Sequence, residues 1–115
     1  MFYKFTKRCS GFLFVSWLFS MNGLLNAEEI SAEQIYLQNC VVCHGDDGSG
    51  AMPGVPDLAD SKTFMVEKDS IILEKMKSGI QSPGNLSMPA RGGNPELTNE
   101  QLLNVLHYMR QILKE

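Results

Sequence analysis

Cys40-Val41-Val42-Cys43-His44 decides the reading of this chain. It has the form C-x-x-C-H, the attachment motif of a c-type haem. Two thiols one helical turn apart reach the two vinyl groups on one edge of a porphyrin and add to them as thioethers. The adjacent imidazole of His44 is then held beneath the ring, where it binds the iron from one side. A zinc site would need four ligands, and the only other Cys and His in the chain are Cys9 and His107. A thioredoxin-like pair calls for a strand before the motif, whereas the flanks here have helical periodicity. A plain disulfide leaves His44 without a role.

Upstream of the motif, Lys4, Lys7 and Arg8 form a positive region followed by the apolar run Gly11 to Leu25. Leu25-Asn26-Ala27 ends it on a small residue. Residues 1–27 have the form of a secretory signal peptide with cleavage after Ala27. The alternative is an uncleaved membrane anchor, but the run falls short of the roughly 20 apolar residues that span a bilayer. Cys9 precedes the run and is badly placed for lipid attachment. The expected location is the periplasm, and the expected domain covers residues 28–115.

Of the 115 residues, 88 then remain. All 13 acidic residues but only seven of the ten basic ones lie after Ala27, so the mature net charge is −6. That charge disfavours nucleic acid and anionic membrane surfaces as partners. A chain this short buries only a small core, and a covalently held porphyrin would supply much of the missing apolar mass.

Within the mature region, Ser31-Ala32-Glu33-Gln34 is a capping box, with Ile30 and Ile35 placed as a hydrophobic staple. Ala32, Tyr36 and Cys40 share one face of the helix that follows. Gly45 to Asp57 is a Gly-, Pro- and Asp-rich loop. A carbonyl from it, at Pro56 or in reserve Pro53, is the expected acceptor for the second ring nitrogen of His44. Leu58 to Glu67 is ambiguous, with room for a short helical turn. Asp69 or Ser70 is expected to cap a second helix that stops at Gly79. Ile80 to Pro95 is a second loop. Leu97-Thr98-Asn99-Glu100-Gln101-Leu102 repeats the capping box and staple. The third helix runs to about Leu113 with Leu102, Val105, Leu106, Met109, Ile112 and Leu113 in one stripe. Tyr108 lies at the edge of that stripe, within reach of Tyr36. No strand pattern, repeat or low-complexity tract is visible, so the expected fold is all-α, with three main helices and two haem-covering loops.

The far side of the iron is open to His107, a Met, a Lys or nothing. His107 faces away from the apolar stripe. Met65 and Met76 sit among apolar helical neighbours and are expected to pack. Met88 stands in a loop, 44 residues after His44, and is stiffened by Pro89; it is the favoured ligand, with Met52 in reserve. A thioether is a soft donor that favours ferrous iron, and His/Met ligation raises the potential relative to His/His ligation. A filled sixth position suits electron transfer and excludes small molecules.

The region 30–113 resembles the small bacterial class I c-type cytochromes. The resemblance rests on the helix ending in C-x-x-C-H, on Gly54-Val55-Pro56-Asp57-Leu58, on Met88-Pro89-Ala90-Arg91-Gly92-Gly93, and on the last helix with Tyr108-Met109. It implies a cytochrome c-like fold and one haem c bonded to Cys40 and Cys43, with His44 and Met88 as axial ligands. It also implies packing of the first helix on the last near Tyr36 and Tyr108, and shuttling of single electrons between larger redox complexes. Many relatives carry Gly where this chain has Ala32. Arg91 is either a partner for a haem propionate or a solvated loop residue. The expected protein is a monomeric carrier of electrons between redox proteins, touching a membrane only through those complexes, and not an enzyme. No general acid, base or nucleophile stands out. The alternative is a haem enzyme or gas sensor with an open or labile sixth site.

Overall fold

The computed structural model describes residues 29–114; the expected signal peptide, residues 1–27, lies outside them. The first helix, α1 (Ala32–Asn39), begins at the expected capping box. Ser31 Oγ accepts from the Gln34 N–H at 3.2 Å, and Gln34 Oε1 accepts from the Ser31 N–H at 2.9 Å. Of the staple pair, Ile35 is buried while Ile30 stays largely exposed. The helix does not run unbroken through the motif. Cys40 leaves α-helical geometry at φ −118°, ψ −37°, and a separate short helix, α2 (Val41–His44), follows. The Cys40 carbonyl accepts from both the Cys43 and His44 N–H groups, at 3.2 and 3.0 Å. That shared acceptor tightens the turn where the two thiols stand.

The ambiguous stretch resolves into α3 (Lys62–Val66), capped by Ser61 Oγ accepting from the Phe64 N–H. Helix α4 (Asp69–Ser78) ends at Gly79 with φ 76°, as expected. Its start differs from expectation: Lys68 is the capping residue and Asp69 already lies in the first turn. The Asp69 carboxylate is engaged elsewhere, by Arg110 and by His107 Nε2 at 2.8 Å. Helix α5 (Asn99–Ile112) starts at the second capping box, with Thr98 Oγ1 accepting from the Gln101 N–H at 3.1 Å. Ala90–Gly93 forms a single 3₁₀-type turn, kinked where Arg91 and Gly92 take left-handed backbone conformations. Among the described residues the sole extended pairing is an antiparallel bridge between Ile80 and Met88.

Helix α5 packs against both α1 and α4. Its stripe supplies Leu102, Val105, Leu106 and Met109 to the core, where they meet Ile35 and Tyr36 of α1. The rings of Tyr36 and Tyr108 lie 5.6 Å apart and tilted by 57°, the contact expected between the first and last helices. Arg110 ties α5 to the middle of the chain. Its guanidinium donates to the Phe64 carbonyl at 3.0 Å and the Glu67 carbonyl at 2.6 Å, pairs with Asp69, and lies over the Phe64 ring. Among the described residues no helix is long and apolar enough to cross a membrane.

Candidate functional site

Between α1–α2 on one side and α4 with the second loop on the other lies an apolar cleft. It holds about 1050 Å³ of space between atoms, part of it open to solvent. Cys40, Cys43, His44 and Met88 all line it. Far apart in sequence, they converge because α5 draws α1 and α4 together and leaves the loops to close the gap.

The near side is built from local geometry. Cys40 is buried and Cys43 partly exposed, and both are free thiols. Burial, with a lesser contribution from Cys43, pushes the Cys40 thiol up to about 11, so it stays protonated at neutral pH. Burial lowers the His44 pKa and keeps the imidazole neutral, the form that ligates metals. The first loop folds back on the motif: Gly50 N–H donates to the His44 carbonyl at 2.9 Å and Ala51 N–H to the Cys43 carbonyl at 2.8 Å. The Tyr36 hydroxyl donates to the Gly45 carbonyl at 2.5 Å, closing the end of α2 onto α1.

His44 Nδ1 is buried with no hydrogen-bond partner. The expected bond from this ring to Pro56 or Pro53 is therefore not formed. The Val55–Pro56 backbone turns toward Gly50 instead, where a Cβ would meet the Val55 oxygen at 2.7 Å. Met52 lies against Cys43, its sulfur 3.6 Å from Sγ, and is not part of the cleft wall.

The far side is built from distant segments. Ile80 N–H donates to the Met88 carbonyl and Met88 N–H to the Ile80 carbonyl, both at 2.9 Å. This pair fixes the backbone of Met88 beside the end of α4. Gly79 makes the approach possible: a Cβ there would stand 2.6 Å from the Met88 oxygen and 2.8 Å from the Ala90 nitrogen. Farther along, the 3₁₀ turn brings Gly92 over the motif, its Cβ position 3.9 Å from Cys40 Sγ. Arg91 does not behave as a solvated loop residue. Its Nη1 donates to the Leu97 carbonyl at 2.6 Å and its Nη2 to Asn99 Oδ1 at 2.9 Å.

Sequence reasoning missed part of the wall. Met76 and Met109, taken as packing residues, are buried and also line the cleft. So do Phe64 and Ile72, and the signal for two of these was present: Ile72 and Met76 stand one turn apart on α4. Lys75, Ser82, Ser87 and Asn39 give the lining its polar groups. Lys75 Nζ is paired with Glu67 at 2.6 Å. An apolar cleft with two free thiols and an unpartnered buried imidazole on one side, and a thioether on the other, fits a porphyrin.

A family model described as "Cytochrome c" matches residues 31–113. A cytochrome c-555 from Chlorobaculum thiosulfatiphilum is 32% identical over 74 residues, covering 64% of this chain and 84% of that protein. A cbb3-type cytochrome c oxidase subunit FixPc from Rhizobium leguminosarum bv. viciae is 34% identical over 64 residues, 55% of this chain and 21% of that one. The cytochrome c subunit of a quinone alcohol dehydrogenase from Gluconobacter oxydans (strain 621H) is 26% identical over 82 residues, 68% of this chain and 17% of that subunit. The chain thus spans about a fifth of the length of the latter two relatives and most of the first.

Proposed function

The chain belongs to the cytochrome c family, and from that premise we propose a periplasmic carrier whose Cys40 and Cys43 bond the haem and whose His44 and Met88 ligate its iron. The cofactor of the family is covalently bound haem c, and the protein is an electron-transfer monohaem cytochrome. When bound, that group supplies an iron centre that takes up and gives back one electron. One observation carries the assignment of residues: the four side chains, spread over 49 positions of sequence, line a single apolar cleft.

Each residue has a task that its surroundings suit. Cys40, buried and protonated, offers a thiol inside the cleft, while Cys43 offers one toward its rim. His44 presents a neutral ring from the last position of α2. Met88 presents a thioether from a backbone clamped at Ile80. The apolar lining keeps water from the site, which favours the less charged state of a redox centre. Residues 1–27 are proposed to direct export and to be cleaved, leaving a monomeric domain of residues 28–115.

The donor and acceptor are proposed to be redox proteins, with membranes met only through them. Relatives named as subunits of an oxidase and a dehydrogenase are consistent with such partners. Carriage rather than catalysis is the proposed role, and a haem enzyme or gas sensor is not favoured beside the cytochrome c-555 relatives. The test uses the full chain expressed in a host with haem-ligation machinery. Alkaline pyridine should give the spectrum of a thioether-linked haem. The ferric protein should show a methionine–iron charge-transfer band that vanishes in Met88→Ala. A band that survives that substitution assigns the far-side ligand elsewhere, and rapid carbon monoxide binding by the unmutated ferrous protein would favour an open site.

A further inference from the structure

Arg91 is the one non-glycine residue among those described with a positive φ, 54°. An L side chain is sterically disfavoured there, and two glycines follow directly, so an arginine at this position needs a compensating interaction. The compensation is visible in its fork. Nη1 donates to the carbonyl of Leu97, a buried residue that precedes the α5 capping box, and Nη2 donates to Asn99 in the first turn of α5. Both are charge-assisted bonds from a rigid planar group.

The position of this fork matters because Met88 has one other backbone anchor nearby. At Met88 itself, the bridge to Ile80 engages both the N–H and the carbonyl. After it, Pro89 and Ala90 lead to Arg91, at most about 11 Å of chain away. We propose that Arg91 is a positioning residue for the far side of the cleft: its guanidinium ties the loop that carries Met88 to the start of α5, so that Met88 resists displacement by external ligands. The proposal rests on the reading of Met88 as the iron's far-side ligand. Released from α5, the loop would swing away at lower cost, and a small competitor would win the vacated position more readily.

The test is imidazole binding to the ferric holoprotein, followed by absorbance, with the methionine–iron band recorded in parallel. Arg91→Ala should raise imidazole affinity about tenfold, the low end of what a single charge-assisted bond is worth. Arg91→Lys, which keeps the charge but not the planar fork that reaches two acceptors at once, should fall between it and the unmutated protein. Asn99→Ala removes one acceptor without touching the loop, and because that bond is exposed it should raise affinity only about threefold, the low end of an ordinary hydrogen bond's worth; it carries the test if Arg91→Ala fails to yield holoprotein. A merely structural role would lower the denaturation midpoint and leave imidazole affinity unmoved. Unmoved affinity in Arg91→Ala and Asn99→Ala, beside a large rise in Met88→Ala, overturns the proposal alone. Unmoved affinity and an intact band in Met88→Ala remove the ligand assignment and this proposal with it.

Discussion

Two segments of 14 residues face each other across the cleft, Ser31 to His44 and Ile80 to Gly93. The first is nearly all helix, and its fastenings are short-range: a capping box, the Cys40 carbonyl shared by Cys43 and His44, and the Tyr36 hydroxyl on Gly45 nine residues on. The second has one two-residue bridge and a single 3₁₀ turn. Inside it, Ser82 N–H donates to Ser87 Oγ and Asn85 N–H to the Ser82 carbonyl, and the rest of its order comes from outside: Gly79 makes room for it, and Leu97 and Asn99 receive its arginine. The side that must form covalent bonds is thus prepared by local structure, while the side that must hold a weak ligand depends on contacts made late in the chain. Order in the first segment should survive damage to the second, and the reverse should fail.

The largest effect comes from the first segment. Cys40→Ser combined with Cys43→Ser should abolish covalent attachment, leaving no haem with the protein after acid–acetone extraction. Because the wall of the cleft shares Phe64, Ile72, Met76 and Met109 with the buried core, the same variant should also lose helical circular dichroism. Full helicity in the colourless variant would show that the small core suffices by itself, and the proposed dependence of both segments on the porphyrin would be wrong.

Next in size is a pair of glycine substitutions in or beside the second segment. Gly79→Ala adds a Cβ 2.6 Å from the Met88 oxygen at a φ of 76°. It should cost about 3 kcal/mol, conformational strain and steric clash together. Gly84→Ala has a similar φ of 82° and nothing within 4 Å of the added carbon. It should cost about 1–2 kcal/mol, from the backbone alone. Guanidinium unfolding measures both. The sharper readout is optical: Gly79→Ala should keep its covalent haem and lose the methionine–iron band, whereas Gly84→Ala should keep both. Equal losses in the two variants would mean that the close approach of Met88 to Gly79 holds nothing in place.

The same division decides what was legible before the structure. Cys40, Cys43 and His44 could be read because their chemistry is set by spacing along one helical turn. Both capping boxes could be read because a box closes within four residues. Asp69 was misplaced as a cap because its actual partners, His107 and Arg110, are 38 and 41 residues away. The carbonyl expected to reach His44 failed in a like manner: Pro56 is near in sequence, but its segment packs on Gly50. Met88 was picked out by its loop and its proline, yet nothing local announced the bridge to Ile80 or the clamp through Arg91. Met76 and Met109 carried a correct signal, helical packing, that concealed a second use as cleft wall. Periodicity reports which face of a helix is buried and not what it is buried against.

The smallest effect tests how firmly the first segment closes on itself. Tyr36→Phe removes the hydroxyl that bonds the Gly45 carbonyl while leaving the ring against Tyr108. The loss should be about 1 kcal/mol near neutral pH, with haem attachment and the methionine–iron band unchanged. Its pH dependence is the more telling part. Burial, the largest cause, pushes the Tyr36 hydroxyl up from 10.0 to about 12. The folded state therefore holds this proton more tightly than the unfolded chain does. That contribution is complete below pH 10 and is lost as pH rises toward 12. The phenylalanine variant has no such proton to lose. The stability gap between the two proteins should accordingly narrow across that interval, as read by denaturant unfolding at stepped pH. A gap that stays constant would place the alkaline sensitivity of the fold at some other group, and Tyr36 would then matter to the first segment only through its ring.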